Sequence, residues 1–192
     1  MKLDIPFYSQ RAEDVPEEHQ NTACGVVALK MALDFARKQQ KEDEPSIAAL
    51  IEEGIAIGGY QQSTGWIHDA LVLLAHNHGA PAYREEFRSV HADIKSKTFS
   101  ESSHAERLVT YGIGKCQRLL KDGAVPLVSV SKFFSERDKF HLVALTGFGS
   151  EDGAEGFYYH DPHYKTSQEG AHRFVDIDTF RDHWRRFAIF VG

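Results

Sequence analysis

The sequence predicts a protein of the α+β class, folded as a single domain over residues 1–192. Helical patterns dominate the first half of the chain and strand-like runs dominate the second half. This order is typical of segregated helices and sheet rather than of alternating βαβ units. The chain is also long enough to enclose one hydrophobic core, and its 42% hydrophobic and 26% charged residues are ordinary for a globular protein.

In the first half, one helix is predicted to be central. It runs from about Ala23 to Ala36, with Asn21 or Thr22 as its cap, and its apolar residues lie around most of its circumference. The other elements predicted here are an extended arm at 3–8, a polar loop at 11–20, a charged connection at 37–44, a helix at 45–53, a helix led by 64–66 and ended by Gly79, and a long loop at 87–104.

In the second half, runs rich in β-branched residues predict an antiparallel sheet. The predicted elements are a helix at 114–121, strands at 126–131, 141–147, 156–160 and 172–176, a charged loop at 132–139, a hairpin turn at 148–155, a helix from Asp178 to Arg186, and a last strand at 187–191. The sequence therefore predicts a helical N-terminal part packed on a C-terminal sheet.

Charge and hydropathy exclude several classes of function. The net charge is -6, and no Lys/Arg run interleaved with aromatic residues occurs, so no nucleic-acid partner is expected. No stretch approaches the ~18 apolar residues of a membrane span, so no membrane partner is expected. No signal peptide is evident, which favours a cytoplasmic location with both cysteines reduced. The oligomeric state is left open.

Cys24 is the candidate nucleophile. It lies in the first turn of the predicted central helix, where unpaired backbone N–H groups and the helix dipole favour an anion. The thiolate is that anion and is the reactive form of cysteine. Gly25, the next residue, permits close approach of a substrate backbone. An inert buried cysteine is the alternative interpretation, and it is the one favoured for Cys116.

His141 and Asp161 are the candidate partners of this thiol. His141 opens an apolar strand, where an imidazole can face a cleft while its neighbours anchor the core. Asp161 precedes Pro162, which keeps the preceding backbone extended. Twenty residues separate the two, enough for adjacent antiparallel strands that bring both side chains to one end of the sheet. Thiol, imidazole and carboxylate suit a nucleophile, its base and the group that orients the base.

Acyl transfer to a thiol also needs hydrogen-bond donors for the developing oxyanion. The backbone N–H of Cys24 is one candidate, and the side-chain amide of Gln10 or Gln20 is the other. Gln20 lies close to the helix start and would have to fold back. No cofactor is predicted. A metal site at His160, Asp161 and His163 is disfavoured, because His160 and Asp161 are adjacent and point to opposite faces of a strand.

The chain resembles the papain-like cysteine peptidases of the bacteriocin-processing, double-glycine-leader type and their soluble relatives. The similarity rests on several short stretches in the order of that family, which together cover nearly the whole chain. These stretches are residues 5–10, 23–31, 65–66, 73–75 with Gly79, 119–130, 140–147 and 159–162.

This resemblance implies a papain-like fold and a thiol-dependent hydrolase acting on a peptide or protein substrate. It implies roles for Cys24 as nucleophile, His141 as base, Asp161 as orienting group and Gln10 as oxyanion donor. No transporter segment accompanies the domain, so leader processing within an exporter is not expected to carry over. Two alternatives stay open: an acyl transferase of the transglutaminase kind that uses the same triad, and a non-catalytic peptide-binding module.

Overall fold

Residues 1–37, 45–62, 65–93 and 98–192 are described by a computed structural model of the chain. Its helices are a 3-10 turn at Glu17–His19, α1 (Cys24–Ala36), α2 (Ile47–Ala56), α3 (His68–Asn77), α4 (Ala105–Lys121), α5 (Ser167–Gly170) and α6 (Ile177–His183). Its strands are β1 (Tyr60–Gln61), β2 (Gly65–Trp66), β3 (Ala82–Glu86), β4 (Val90–Asp93), β5 (Thr98–Glu101), β6 (Val125–Lys132), β7 (Glu136–Glu151), β8 (Ala154–His160), β9 (Arg173–Asp176) and β10 (Trp184–Val191).

A six-stranded antiparallel sheet forms the centre of the fold. Its strand order is β3-β10-β6-β7-β8-β9, so the last strand of the chain lies inside the sheet between β3 and β6. The pairs β6–β7 and β7–β8 are formed by neighbouring segments of the chain. Two small antiparallel pairs, β1–β2 and β4–β5, lie outside this sheet.

Helices cover both faces of the sheet. Successive residues of a strand point to opposite sides, so each central strand supplies apolar residues to two cores. Leu127 and Leu142 face a core cluster that includes the apolar residues of α1, α2 and α3. Val128 and Val143, one residue further along each strand, face a second cluster with α4 and α6. Helix α1 is buried from Gly25 to Asp34, as its all-round apolar pattern predicts, and it packs mainly on β7.

The α+β prediction is confirmed, including a buried helix that begins with Cys24 and packs on an antiparallel sheet. The predicted helix at 45–53 is also present as α2. Its cap is Ser46, whose hydroxyl accepts a hydrogen bond of 3.1 Å from the backbone N–H of Ala49. The turn between β7 and β8 is shorter than expected. Asp152 and Gly153 form it with φ of 50° and 84°, the pair of left-handed conformations that a tight hairpin requires.

Several predicted boundaries are wrong. The segment expected as a long loop at 87–104 contains β4 and β5, and the helix expected at 114–121 begins at Ala105. The second half of the loop expected at 132–139 is the start of β7, which begins at Glu136. Strand β3 was not predicted at all. Exposed polar residues interrupt the hydrophobic pattern of β3, and its pairing with the distant β10 decides its conformation.

Local caps also differ from expectation. The N-cap of α1 is Ala23 rather than Asn21 or Thr22. Helix α6 is capped by Asp176, which accepts a bond from the backbone N–H of Thr179 at 2.9 Å, and not by Asp178. The N-terminal arm, expected as a short strand or an extended segment, forms only an isolated bridge between Lys2 and Gly147. The charged connection 38–44 and Thr64 lie outside the described residues.

Within the described ranges, none of the helices combines the length and the apolar content needed to cross a membrane.

Candidate active site

An open cleft of about 590 Å³ lies where the start of α1 meets the sheet. The start of α1 and the β2–α3 segment form one wall, and β6, β7, β3 and β10 form the other. Cys24 and His141 both line this cleft, one from each wall. Residues that are far apart in the sequence therefore face the same solvent-accessible space.

Cys24 is the first residue of α1 and is partly exposed. Its position in the first helical turn places the thiol beside backbone N–H groups that have no partner within the helix. The imidazole of His141 and the backbone N–H of Leu142 border the same cleft as the sulfur, and both lower the pKa of the Cys24 thiol. A negative charge on this sulfur is thus met by the helix N-terminus, a backbone donor and a cationic side chain.

Alternation along β7 turns His141 inward while Phe140, its neighbour, is 54% exposed. Asp161 follows the last residue of β8, the strand next to β7, and both its side chain and that of His141 are buried. Nε2 of His141 lies 2.6 Å from Oδ1 of Asp161. The same oxygen accepts a bond from the backbone N–H of His163 at 2.9 Å, which holds the carboxylate in place. Since Asp161 occupies Nε2, Nδ1 is the ring nitrogen left for the sulfur.

The three groups shift each other's pKa values. Burial alone would raise the pKa of Cys24, but the charge of His141, its hydrogen bond and the Leu142 N–H together lower it. Burial alone would lower the pKa of His141, yet the charge of Cys24 and the bond to Asp161 raise it to about 10. Burial alone would raise the pKa of Asp161, but the hydrogen bond and the charge of His141 outweigh burial and lower it. These directions favour a thiolate–imidazolium pair at neutral pH.

The two glutamine candidates both lie near the entry of α1, and both amides are engaged. Gln10 is buried, and its Nε2 donates to the carbonyl oxygen of Gln20 at 2.8 Å. Its Oε1 has no hydrogen-bond partner among the described residues. Nε2 of Gln20 donates to the carbonyl oxygen of Val15 at 3.3 Å. Neither side chain is part of the cleft lining. An amide nitrogen carries two N–H groups, and the bond to Gln20 uses one of those of Gln10.

Two other side chains, those of Cys116 and His160, are buried away from the cleft and contribute to packing and hydrogen bonding. Cys116 is fully buried in the second core cluster, and this burial raises the pKa of its thiol to about 12. Nε2 of His160 lies 3.0 Å from the carbonyl oxygen of Ile5. Its Nδ1 accepts a hydrogen bond from the backbone N–H of His172. Burial lowers the pKa of His160 to about 4, so the ring is neutral. Among the described residues no group of His, Cys, Asp and Glu could hold a metal ion.

The aromatic side chains of Phe133 and Phe134, in the turn between β6 and β7, do not line the cleft. Phe134 packs in the second core cluster, and Phe133 contacts the ring of His163. The cleft lining instead includes Phe140 and Arg185, which the sequence did not single out. For Phe140 the sequence offers only its position directly before His141. For Arg185 the sequence offers no such signal.

Chemically, this arrangement can deliver a thiolate to a carbonyl carbon and a proton to a leaving group. A lowered thiol pKa supplies the nucleophile, and an imidazolium beside it supplies the proton. The open cleft next to the sulfur gives an extended chain access to both groups.

Sequence comparison places the chain in a known group. The model of the Peptidase_C39 like family matches residues 2–188. No curated protein matches the sequence significantly.

Three solved structures share the fold. A putative C39-like peptidase from Bacillus anthracis gives a TM-score of 0.63 at 17% identity, over 100% of this chain and 98% of that one. A double glycine motif protease from an AMS/PCAT transporter, in complex with the leader peptide, gives 0.50 at 13% identity, over 100% and 94%. The peptidase domain of Streptococcus ComA, a bi-functional ABC transporter involved in a quorum sensing pathway, gives 0.50 at 14% identity, over 90% and 92%.

Proposed function

The chain belongs to the Peptidase_C39 like family and is a cysteine peptidase, and from this premise we propose that it hydrolyses a peptide or related amide bond through an acyl-thioester on Cys24. One observation carries the proposal. The Cys24 sulfur and the His141 imidazole line the same open cleft, and the imidazole is hydrogen bonded to the buried Asp161 carboxylate at 2.6 Å. A buried, inert cysteine such as Cys116 has neither the partners nor the access.

The first half of the proposed reaction forms the thioester. His141 holds the proton of the Cys24 thiol, and the thiolate attacks the carbonyl carbon of the scissile bond. A carbon–sulfur bond forms, and the carbonyl oxygen takes the negative charge. The tetrahedral intermediate then collapses, the carbon–nitrogen bond breaks, and the His141 imidazolium donates its proton to the leaving amine.

The second half releases the acid product. The now neutral His141 takes a proton from water, and the resulting hydroxide attacks the thioester carbon. Collapse of this second tetrahedral intermediate breaks the carbon–sulfur bond, and the Cys24 thiolate is regenerated opposite a protonated His141. Asp161 does not exchange a proton in these steps. Its charge and its 2.6 Å contact keep the ring oriented and stabilise the imidazolium.

For the oxyanion we propose the backbone N–H of Cys24 and the second N–H of the Gln10 amide. Gln10 is supported by its buried side chain, whose amide is hydrogen bonded to the carbonyl oxygen of Gln20 in the loop that leads into α1. Gln10→Ala and Gln20→Ala provide a matched comparison. A loss of kcat of about 10²-fold in the first variant alone supports this role for Gln10, and equal losses in both contradict it.

The function is tested on a pool of unrelated peptides, with mass spectrometry to identify new termini. The wild-type chain and Cys116→Ser are expected to cleave the same bonds, and Cys24→Ser and His141→Ala are expected to cleave none. Adding a primary amine distinguishes water from an amine as acceptor, because an acyl transferase would yield amide products with the mass of the amine. Cleavage that survives Cys24→Ser would refute the proposed nucleophile.

A peptide is the proposed class of substrate. The transporter protease that shares this fold was solved in complex with the leader peptide, and the cleft beside Cys24 is open enough to admit an extended chain.

A further inference from the structure

Arg185 differs from Arg84, Arg181 and Arg186 in having no acidic ion-pair partner among the described residues. Arg84 is paired with Asp69, and Arg181 and Arg186 each have a glutamate partner. Arg185 lines the same cleft as Cys24, and no carboxylate among the described residues forms an ion pair with it. It is partly buried as well, so its charge has lost part of its hydration, and no carboxylate of the described residues pairs with it in exchange.

The guanidinium is held in position by an aromatic ring. Its central carbon lies 3.5 Å from the centroid of the Phe140 ring, and Phe140 also lines the cleft. Stacking of this kind leaves the edge of the planar guanidinium, with its N–H groups, available for other partners. Phe140 immediately precedes His141, so the ring that Arg185 contacts belongs to the residue next to the proposed base.

A local irregularity in β10 puts Arg185 there. Trp184 pairs with Val130 and Ala188 pairs with Val128, so three residues of β10 bulge out opposite Ser129. Arg186 has a φ of 60°, an unfavourable conformation for a residue with a side chain. The indole N–H of Trp184 donates to the carbonyl oxygen of Phe187 at 2.9 Å and closes the bulge. Bulges that redirect side chains are common beside active sites.

The surroundings of Arg185 carry surplus positive charge. Burial lowers the pKa of Arg185, and the nearby charge of Arg88 lowers it further, against a smaller opposing effect of Glu86. On the cleft wall, burial together with the charges of Arg185 and Arg84 lowers the pKa of His68. Glu86 and Asp69 are already engaged by Arg84. An anionic group entering the cleft would therefore be attracted to Arg185.

We propose that Arg185, stacked on Phe140, binds a carboxylate of the peptide substrate in the cleft that holds Cys24. The carboxylate is either an Asp or Glu side chain or the free C-terminus, since both fit the planar fork of a guanidinium. This inference rests on the proposed function, because it assigns the class of peptide on which that function acts. Arg185 is a specificity residue here and takes no part in bond cleavage.

The test measures binding without turnover. The Cys24→Ala chain is incubated with mixtures of acetylated octapeptides in which one position is fixed as Glu or as Gln. Each mixture is made once with a free C-terminus and once with an amidated one. Peptides that co-elute with the protein in gel filtration are quantified by mass spectrometry. We expect the acid to be retained at least about fivefold over its amide, either at one fixed position or at the C-terminus.

Two charge-matched variants give the control. Arg185→Gln is expected to bring the acid-to-amide ratio to about one, while Arg181→Gln, which removes a paired arginine outside this cleft, leaves it unchanged. Equal retention of acid and amide, retention of no peptide, or a preference that survives Arg185→Gln overturns the inference. Because the assay needs no cleavage, failure of the proposed hydrolysis is detected separately with the wild-type chain.

Discussion

Selective alkylation of Cys24 tests the electrostatics of the site most directly. The two cysteines of the chain are an internal pair of probes: Cys24 lies in the cleft, and Cys116 is fully buried. Burial raises the pKa of Cys116 from the ordinary 9.0 to about 12, whereas the pKa of Cys24 lies below 9.0. At neutral pH the difference between 9.0 and about 12 alone gives Cys24 roughly a thousandfold more thiolate.

Intrinsic nucleophilicity offsets part of this difference. A thiolate of higher pKa is the better nucleophile, with a Brønsted slope of about 0.4–0.5, which favours Cys116 by about 15- to 30-fold over three pKa units. The net expectation is that iodoacetamide modifies Cys24 at least about 30-fold faster than Cys116 at neutral pH. This is a lower limit, because Cys116 has no exposed surface and a pKa of Cys24 below 9.0 widens the gap.

The assay is peptide mapping by mass spectrometry after timed exposure to iodoacetamide. Cys116→Ser should leave the fast reaction unchanged, and Cys24→Ser should abolish it. His141→Ala removes the largest influence that lowers the thiol pKa, so the rate at Cys24 should fall by more than about tenfold. Equal slow labelling of both cysteines in the wild-type chain would refute the thiolate–imidazolium pair.

Three further predictions concern the carboxylate, the pH profile and the packing of the second core. Asp161→Ala should lower kcat by about 10²-fold or more with little change in KM, and Asp161→Asn should lower it less, because an amide oxygen can still accept the imidazole bond; equal losses would contradict an orienting role. The alkaline limb of kcat/KM should lie at about pH 10, since the His141 imidazolium loses its proton there, and a limb near pH 6.5 would contradict the raised pKa. Gly112→Ala should cost about 1–3 kcal/mol in urea unfolding, because a Cβ at this position would lie 2.6 Å from a ring carbon of Trp184. Gly114→Ala on the same helix, with its nearest contact at 3.5 Å, should be neutral or stabilising, and equal destabilisation of both would refute the packing argument.

Much of the site was predictable because its parts are local. The start of a helix at Cys24 and a strand through His141 follow from polar-to-apolar transitions in the sequence, although β7 begins at Glu136. The spacing between His141 and Asp161 then allows two adjacent antiparallel strands, and β7 and β8 are such a pair. The helix that follows Cys24 is buried on all sides because its residues are apolar on all sides.

Other features were not predictable, because distant parts of the chain determine them. Strand β3 exists because β10, about a hundred residues later in the sequence, offers it backbone partners. The amide of Gln10 is oriented by a carbonyl in a different loop. The bulge at Arg185 arises from a mismatch of register between β10 and β6, which leaves no mark in the local sequence.

The sequence by itself determined which residues of this protein have reactive side chains and on which kind of element each one lies. Those properties depend on side-chain chemistry and on patterns within a few turns or strand residues. Only the tertiary structure decided their ionisation and surroundings: a lowered thiol pKa at Cys24, a raised one at Cys116, and at Arg185 a cation with no ion-pair partner among the described residues. The physical reason is that electrostatic interactions and desolvation depend on distances through space, and the fold sets these distances independently of separation along the chain.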